Sequence, residues 1–152
     1  MAIVIESGRQ CPEDVERILR ALPEWFGIEE SVLGYVDAAR SLPTTCARDG
    51  EEIVGVCLVR RHNPRAAEIE LLAVVRDRHR EGIGRALVDH VRRQTGADGV
   101  ELLQVKTFGP SGRTVEYERT RAFYEAMGFV PLEERTDIWG PDNPCLIMVL
   151  PL

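Results

Sequence analysis

The sequence has no apolar run long enough to cross a bilayer, and the apolar stretch at its amino terminus is too short for a signal peptide. Its 4 cysteines are scattered, without the short paired spacing that holds zinc. These absences predict a cytoplasmic protein with reduced thiols, no metal and no membrane partner. With 152 residues, 44% of them hydrophobic, the chain has the length and composition of one domain over residues 1–152.

Aromatic residues are also scarce, at 6% of the sequence, and acidic residues outnumber basic ones, for a formal net charge of -6 at pH 7. Surfaces that bind nucleic acid are usually basic, so nucleic acid is not an expected partner. The acidic balance favours a small molecule or a basic partner. One segment departs from this balance, because RDRHREGIGR, residues 76–85, concentrates arginines around a Gly-x-Gly.

Hydrophobic periodicity predicts the elements in the order strand, two helices, three strands, helix, strand, helix, two strands. Asp49 and Gly50 form a strong hairpin turn signal between the second and third strands. Consecutive hairpins give antiparallel pairs, whereas a strand-helix-strand unit gives a parallel pair. We therefore predict an α/β (α+β) fold with a mixed, mostly antiparallel sheet. The apolar run at residues 71–75 predicts that the fourth strand is covered on both faces.

The arginine-rich loop lies between a predicted strand and a helix expected from about Gly82 to Gln94. A helix amino terminus leaves N–H groups unpaired and carries partial positive charge, so the N–H groups from Arg80 to Arg85 predict a pyrophosphate site. Solvated surface arginines are the alternative. A P-loop is excluded because the loop lacks the Lys-Ser/Thr that closes that motif. A Rossmann fingerprint is excluded because Leu87 stands at its third glycine position.

Two motifs resemble the GNAT acetyltransferase superfamily. LAVVRDRHREGIGRAL, residues 72–87, is similar to its acetyl-CoA loop, and TRAFYEAMGF, residues 120–129, is similar to its second signature. The resemblance extends over nearly the whole chain and implies a GNAT-type seven-stranded sheet flanked by about four helices. It also implies an N-acetyltransferase that moves the acetyl group of acetyl-CoA to a primary amine by direct attack. A non-catalytic acyl-CoA-binding or sensor module of the same fold is the alternative.

The resemblance implies which residues contact acetyl-CoA. They are Ala73, Val74 and Val75 at the strand end, His79, Arg80, Glu81, Gly82, Ile83, Gly84 and Arg85 in the loop, and Tyr117, Thr120 and Phe123. The strand end would pair its backbone with pantetheine, and one N–H there would polarise the thioester carbonyl. His79 stands at the family's Gln/Arg position, and Tyr117 stands where many members have an asparagine. Neither departure affects a cradle made of backbone N–H groups.

The resemblance also implies the catalytic residues. Tyr124 matches the general-acid position that protonates the departing thiolate, and a tyrosine packed in the core is the alternative. Glu68 and Glu70 lie two apart on a strand, hence on one face, and either is a candidate to take the amine proton, directly or through water. Ion pairing to Arg60 or Arg61 is the structural alternative. The histidines show no triad spacing with a cysteine or serine, so none is predicted to be a catalyst.

The acceptor site is predicted from aromatic residues and a lysine. Trp25, Phe26 and Trp139 are candidates to line a pocket for a small amine, with burial in the core as the alternative for Trp25 and Phe26. Lys106 is expected to face the pocket as a cofactor or structural contact. The acceptor is a small-molecule amine or a peptide amine, and nearby acidic residues favour a cationic one. The segment CLIMVL, residues 145–150, fits a central or an interface strand, which leaves a monomer and a homodimer both open.

Overall fold

The computed structural model describes residues 2–112 and 114–152, and it contains the predicted elements in the predicted order. The strands are β1 (Ile3–Ser7), β2 (Thr44–Asp49), β3 (Glu52–Asn63), β4 (Ala66–Val74), β5 (Leu102–Phe108), β6 (Val130–Arg135) and β7 (Cys145–Pro151). The α-helices are α1 (Pro12–Arg20), α2 (Glu29–Ala38), α3 (Ile83–Ala97) and α4 (Val115–Ala126). The strand order is β1-β2-β3-β4-β5-β7-β6, and the pairs β1-β2, β2-β3, β5-β7 and β6-β7 are antiparallel. The predicted fold class is therefore confirmed.

Contacts divide the chain into two compact units, and the first comprises Met1–Arg60 and Ile69–Asp98. Pro12 begins α1, as predicted, because the first turn of a helix needs no N–H donor there. Gly50, with φ of 62°, forms the predicted turn between β2 and β3. The core buries apolar side chains of both helices and of the strands, each stabilising the fold by about 1.5–3 kcal/mol. They include Val15, Ile18 and Leu19 of α1, Val32 and Val36 of α2, and Val56 and Leu58 of β3.

Helix α3 also belongs to the first unit, and its position depends on a glycine. It begins at Ile83 and ends at Ala97, one residue later and three residues later than predicted. A Cβ on Gly55 of β3 would lie 3.0 Å from Leu87 Cδ1 and 3.1 Å from Ile83 Cγ2. Because only glycine leaves this space, the first turns of α3 pack directly on β3. That packing fixes the helix amino terminus and the loop before it.

The second unit comprises Arg61–Glu68 and Gly99–Leu152. Strand β7 lies between β5 and β6, so residues 145–150 form a central strand within this unit. Arg121 of α4 donates a 2.7 Å hydrogen bond to the Phe108 carbonyl at the end of β5, which ties the helix to the sheet. Gly128, with φ of 102°, follows the end of α4, as its left-handed conformation predicts. The prediction of one domain over residues 1–152 stays a prediction.

The two faces of strand β4 are unequally covered near its end. Leu71 and Ala73 are buried, whereas Leu72 and Val74 are only half-buried. One face of the strand end is therefore buried and the other is partly covered, because tertiary packing decides how far each face of an apolar strand is covered. The half-covered residues lead directly into the arginine-rich loop. No helix within residues 2–112 and 114–152 is long and apolar enough to span a membrane.

Candidate active site

The loop after β4 ends in an uncapped helix amino terminus. Gly82 adopts a φ of 82° immediately before Ile83, the first residue of α3. The N–H groups of Ile83, Gly84 and Arg85 have no carbonyl one turn earlier in the helix, and no side chain caps them. They carry the positive end of the helix dipole, and open space lies where a Cβ on Gly82 would stand. This geometry is suited to an anion held by backbone N–H groups.

Two of the arginines expected around this anion site hold the loop instead. Arg76 donates to a Glu24 carboxylate oxygen at 2.5 Å, and this hydrogen bond holds the pKa of the Glu24 carboxyl below its ordinary value. Arg78 donates to Asp49 at 2.8 Å and to Glu81 at 3.0 Å. The structure therefore assigns these two side chains, and Glu81, to bracing the loop.

Arg80 and Arg85 are the arginines left to meet an anion. Both are exposed, and neither forms an ion pair or side-chain hydrogen bond with another residue that the structure describes. Arg80 has a φ of 68°, a left-handed conformation that costs a non-glycine residue about 1–2 kcal/mol. Strain of this kind clusters at ligand sites, where the surrounding structure holds it in place.

His79 contacts the strand end. Its Nε2 lies 2.7 Å from the Val74 carbonyl oxygen, and its ring meets the Trp25 ring edge-on with centroids 5.7 Å apart. The Val75 N–H donates to the Val54 carbonyl of β3 at 2.9 Å. Because backbone groups of successive strand residues point to opposite sides, those of Val74 are directed away from β3. Among the three residues predicted to contact the pantetheine, Ala73 to Val75, Val74 is therefore the one whose backbone carbonyl faces His79.

Trp25 and Phe26 are both half-buried and pack against the core of the first unit. The Phe26 ring meets Tyr35 edge-on at a centroid distance of 5.9 Å, whereas Trp25 meets His79. The structure thus brings Trp25 to the loop, and the described contacts of Phe26 lie in the core. Trp139, 40% exposed, lies between β6 and β7 in the second unit. Their roles in acceptor binding stay predictions.

Tyr124 is buried in α4 among aromatic rings. It is 5% exposed, and it meets Phe123 and Phe129 edge-on, each at a centroid distance of 5.3 Å. This burial matches the core alternative and is also compatible with a proton donor, because a phenol is protonated at neutral pH and is here shielded from water. The general-acid role therefore stays a prediction.

Tyr117 and Thr120 lie on the same face of α4 as Tyr124, at spacings of three and four residues. Tyr117 stacks on Phe108 with centroids 5.2 Å apart. Thr120 donates its hydroxyl to the Glu116 carbonyl one turn earlier, at 3.1 Å. The cofactor contacts expected of Tyr117 and Thr120 stay predictions.

Glu68 forms a polar cluster inside the second unit. It is 3% exposed, and its Oε1 lies 2.7 Å from His62 Nε2 and 3.2 Å from Gln104 Nε2. Lys106 Nζ lies 3.3 Å from Oε2. A buried carboxylate is costly unless it is paired and hydrogen-bonded, and these three partners provide both.

Glu70 has a different partner. Arg60 Nε donates to Glu70 Oε2 at 3.1 Å, and the side chains are 43% and 25% exposed, respectively. The ion-pair alternative is therefore observed for Glu70.

His62 is the residue that sequence reasoning missed. The feature of the sequence that indicates it is the hairpin, not a motif. His62 and Glu68 are each three residues from Arg65, which lies in the turn between β3 and β4. Residues placed symmetrically about a hairpin turn face each other across the strand pair. The spacing of a catalytic triad is a pattern along the chain, so it does not indicate a pair formed across a hairpin.

Two of the buried cysteines, Cys57 and Cys145, are poor nucleophiles. Burial raises the pKa of the Cys145 thiol to about 11 and that of Cys57 to about 12. Both thiols therefore stay protonated near neutral pH, and the thiolate is the reactive form. Within the residues described, no group of three or more His, Cys, Asp or Glu is placed to hold a metal ion.

Comparison with known proteins gives one family and one fold. The model of the acetyltransferase (GNAT) domain family matches residues 41–131, more than half of the chain. A protein described as a GNAT-family acetyltransferase, from Desulfovibrio desulfuricans, is 19% identical with a TM-score of 0.86, over 99% of each chain. A GNAT family acetyltransferase from Elizabethkingia anophelis, with acetyl-CoA bound, is 21% identical with a TM-score of 0.73, over 99% of this chain and 98% of that one.

A third structure is an aminoglycoside 6'-N-acetyltransferase complexed with coenzyme A. It is 20% identical with a TM-score of 0.76, over 97% of this chain and 96% of that one. At these identities the structures show the shared fold. No curated protein matches the chain in a sequence comparison.

Proposed function

The chain belongs to the GNAT acetyltransferase family, and we propose that it transfers the acetyl group of acetyl-CoA to a primary amine by direct attack. Membership confirms the family and the enzyme class expected from the two motifs. The observation that carries the proposal is the uncapped amino terminus of α3, with Arg80 and Arg85 beside it and no partner for either in the described chain. Two of the similar structures described above contain acetyl-CoA and coenzyme A, respectively.

The cofactor would lie along the loop of the first unit. Its pyrophosphate would accept hydrogen bonds from the N–H groups of Ile83, Gly84 and Arg85, with the Arg80 guanidinium adding charge. Val74 would pair its backbone with the pantetheine arm. Its carbonyl has two lone pairs, so it can accept a second hydrogen bond beside that of His79. The contacts expected of Ala73, Val75, Glu81, Tyr117, Thr120 and Phe123 are part of the same proposal.

In the proposed reaction the amine nitrogen attacks the thioester carbonyl carbon, so that a C–N bond forms and the C–S bond breaks. An ammonium acceptor gives up one proton before the attack and a second as the amide forms. The Glu68 cluster or Glu70 receives the first proton, which makes the amine neutral. Tyr124 gives its proton to the departing thiolate, and the second proton of the nitrogen passes through water to restore the Tyr124 hydroxyl. Cys57 and Cys145 are not expected to form an acyl-cysteine, because burial raises the pKa values of their thiols.

The proposed acceptor is a small amine, with a peptide amine as the second candidate. The net charge of -6 favours a cationic acceptor. Trp25, in contact with the loop through His79, is the aromatic residue best supported as a pocket wall. A similar enzyme acts on an aminoglycoside, which is a polycationic amine. We also propose a cytoplasmic location, because the described cysteines are free thiols.

Thermal unfolding with acetyl-CoA or acetylpantetheine tests the cofactor site. Acetylpantetheine has the thioester arm without the pyrophosphate. At a hundredfold excess over Kd a ligand stabilises the folded state by about 2.7 kcal/mol, so we expect acetyl-CoA to raise the Tm by a few degrees. Acetylpantetheine should raise it far less. Equal shifts, or none, would contradict the anion cradle.

Gly82→Glu is the matched variant, because it places a carboxylate where the pyrophosphate would bind. We expect the acetyl-CoA shift to disappear in it. Gly8→Glu is the control, since Gly8 has a similar φ of 85° and equally open surroundings. It introduces the same backbone strain and the same carboxylate away from the proposed site. Amine-dependent release of free thiol then separates an enzyme from a sensor module that binds acetyl-CoA without turnover.

A further inference from the structure

We propose that His62 is the proton acceptor for the attacking amine, with Glu68 holding its ring. The proposal rests on the proposed acetyl transfer and names a residue for its deprotonation step. The two side chains stand opposite each other on β3 and β4, with His62 Nε2 at 2.7 Å from Glu68 Oε1. This is the shortest contact of the Glu68 cluster, and it joins a buried carboxylate to an imidazole that reaches the surface.

Glu68 is poorly placed to take the proton itself. Its side chain is 4% exposed, so neither an amine nor bulk water reaches it freely. Oε1 is shared by His62, Gln104 and Lys106, and Oε2 faces Lys106 at 3.3 Å. The His62 side chain, in contrast, is 40% exposed. The accessible member of the pair is therefore the imidazole.

Lys106 is the cationic partner of Glu68. The sequence contains 19 lysine and arginine residues together, and only one of them, Lys106, is lysine. Its ammonium, a compact point charge, balances the Glu68 carboxylate within the cluster. A neutral imidazole that donates Nε2–H to Glu68 keeps the lone pair of Nδ1 for a proton.

The proton balance is simple. The acceptor ammonium gives one proton to Nδ1 of His62, through water, and becomes a neutral amine. The imidazolium that forms keeps its Nε2–H on Glu68, whose negative charge stabilises it, as a buried carboxylate does for a catalytic histidine elsewhere. After acetyl transfer the imidazolium returns its proton to solvent. No further co-reactant is needed.

The test uses His62→Ala and His62→Gln, assayed by thiol release from acetyl-CoA with tyramine and with spermidine. We expect kcat/KM to fall about 100-fold in both variants. Added imidazole should restore His62→Ala, because the removed ring was exposed enough to leave an open site. His62→Gln still donates to Glu68 but has no basic nitrogen, so recovery of full activity in that variant would show that His62 acts only as a donor and would overturn the proposal. His90→Ala is the control for loss of a histidine.

The pH profile is the second readout. In the wild type, kcat/KM should decline below the titration of a histidine, and this acid limb should be absent from His62→Ala. Within the second unit, Gln104 and Lys106 of β5 contact Glu68, and the Cys145 thiol of β7 lies near enough to Glu68 to be affected by its charge. An acid limb that survives in His62→Ala contradicts the proposal.

NMR of the imidazole rings tests the same geometry without turnover. The proposal requires the His62 proton on Nε2, where it is donated to Glu68, and a bare Nδ1. A proton on Nδ1 in the wild type overturns the proposal even when no amine probe is a substrate. The proposed acetyltransferase function fails by a different result, which is the absence of a thermal shift with acetyl-CoA. Failure of the His62 proposal and failure of the proposed function are therefore distinguishable.

Discussion

The α3 loop of the first unit and the Glu68 cluster of the second unit are built in opposite ways. The loop offers backbone N–H groups of consecutive residues, and its glycines and helix start are visible in one short segment. The cluster is assembled from side chains of β3, β4 and β5, which lie far apart in the sequence. A backbone site tolerates changes of most side chains, whereas a cluster of side chains does not. The expected effects of mutation in the two regions should therefore differ in size.

The largest effect is expected for the side-chain chemistry of the second unit. Tyr124→Phe removes the hydroxyl proposed to protonate the thiolate while keeping the ring that packs on Phe123 and Phe129. We expect kcat to fall by about 100-fold to 10,000-fold, with little change in the acetyl-CoA thermal shift. Tyr35→Phe, which loses a hydroxyl on α2, is the matched control. Full turnover in Tyr124→Phe would leave Tyr124 as a core residue only.

Glu68→Gln and Glu70→Gln decide between the two carboxylates. Glu68 is buried and contacts His62, whereas Glu70 shares a half-exposed ion pair with Arg60. We expect about 100-fold loss of kcat/KM in Glu68→Gln and a much smaller loss in Glu70→Gln. Chemical denaturation should also show the larger destabilisation for Glu68→Gln, about 1–3 kcal/mol, because it leaves the partners of a buried charge unbalanced. The exposed pair contributes at most about 1 kcal/mol. The reverse order of activities would assign the base to Glu70.

The two regions also differ in how much of them could be predicted. Periodicity, the turn at Gly50 and the stop at Gly128 are local signals, and the elements they predict are present. The loop was found because its motif is contiguous. The pairing of Arg78 with Asp49, and the position of Gln104 and Lys106 beside Glu68, depend on which strands and loops become neighbours. Composition and spacing along one chain do not contain that information.

A smaller effect is expected for the arginines of the loop. Arg80→Ala and Arg85→Ala each remove one charge beside a cradle whose N–H groups remain. We expect acetyl-CoA binding to weaken by about fivefold to thirtyfold, equivalent to about 1–2 kcal/mol, and more at low salt than at high salt. Isothermal titration at two salt concentrations measures this. Arg40→Ala, on the surface after α2, is the control. Loss of all binding in Arg80→Ala would show that the side chain, rather than the backbone, holds the anion.

Arg78→Ala sharpens the same comparison, because Arg78 braces the loop through Asp49 and Glu81. We expect a modest loss of affinity together with faster hydrogen exchange of the amides of residues 79–85. Arg80→Ala should leave that exchange unchanged, since Arg80 forms no described contact through its side chain. Equal exchange in both variants would mean that the ion pairs of Arg78 do not order the loop.

The smallest effect concerns the buried thiol of the first unit. Burial raises the pKa of Cys57 from the ordinary 9.0 to about 12 in the folded protein. Between these values the unfolded chain loses its thiol proton while the folded chain keeps it, so the folded state binds more protons and its stability falls as pH rises. The loss is about 1.4 kcal/mol per pH unit in that window, and none is expected below pH 9. Urea midpoints at pH 8 and pH 10 should therefore differ less in Cys57→Ala than in the wild type. Burial raises the pKa of Cys145, in the second unit, to about 11, so the contribution of this thiol to the pH dependence of stability ends at a lower pH. An equal drop in both proteins would mean that Cys57 exchanges protons without unfolding of the first unit.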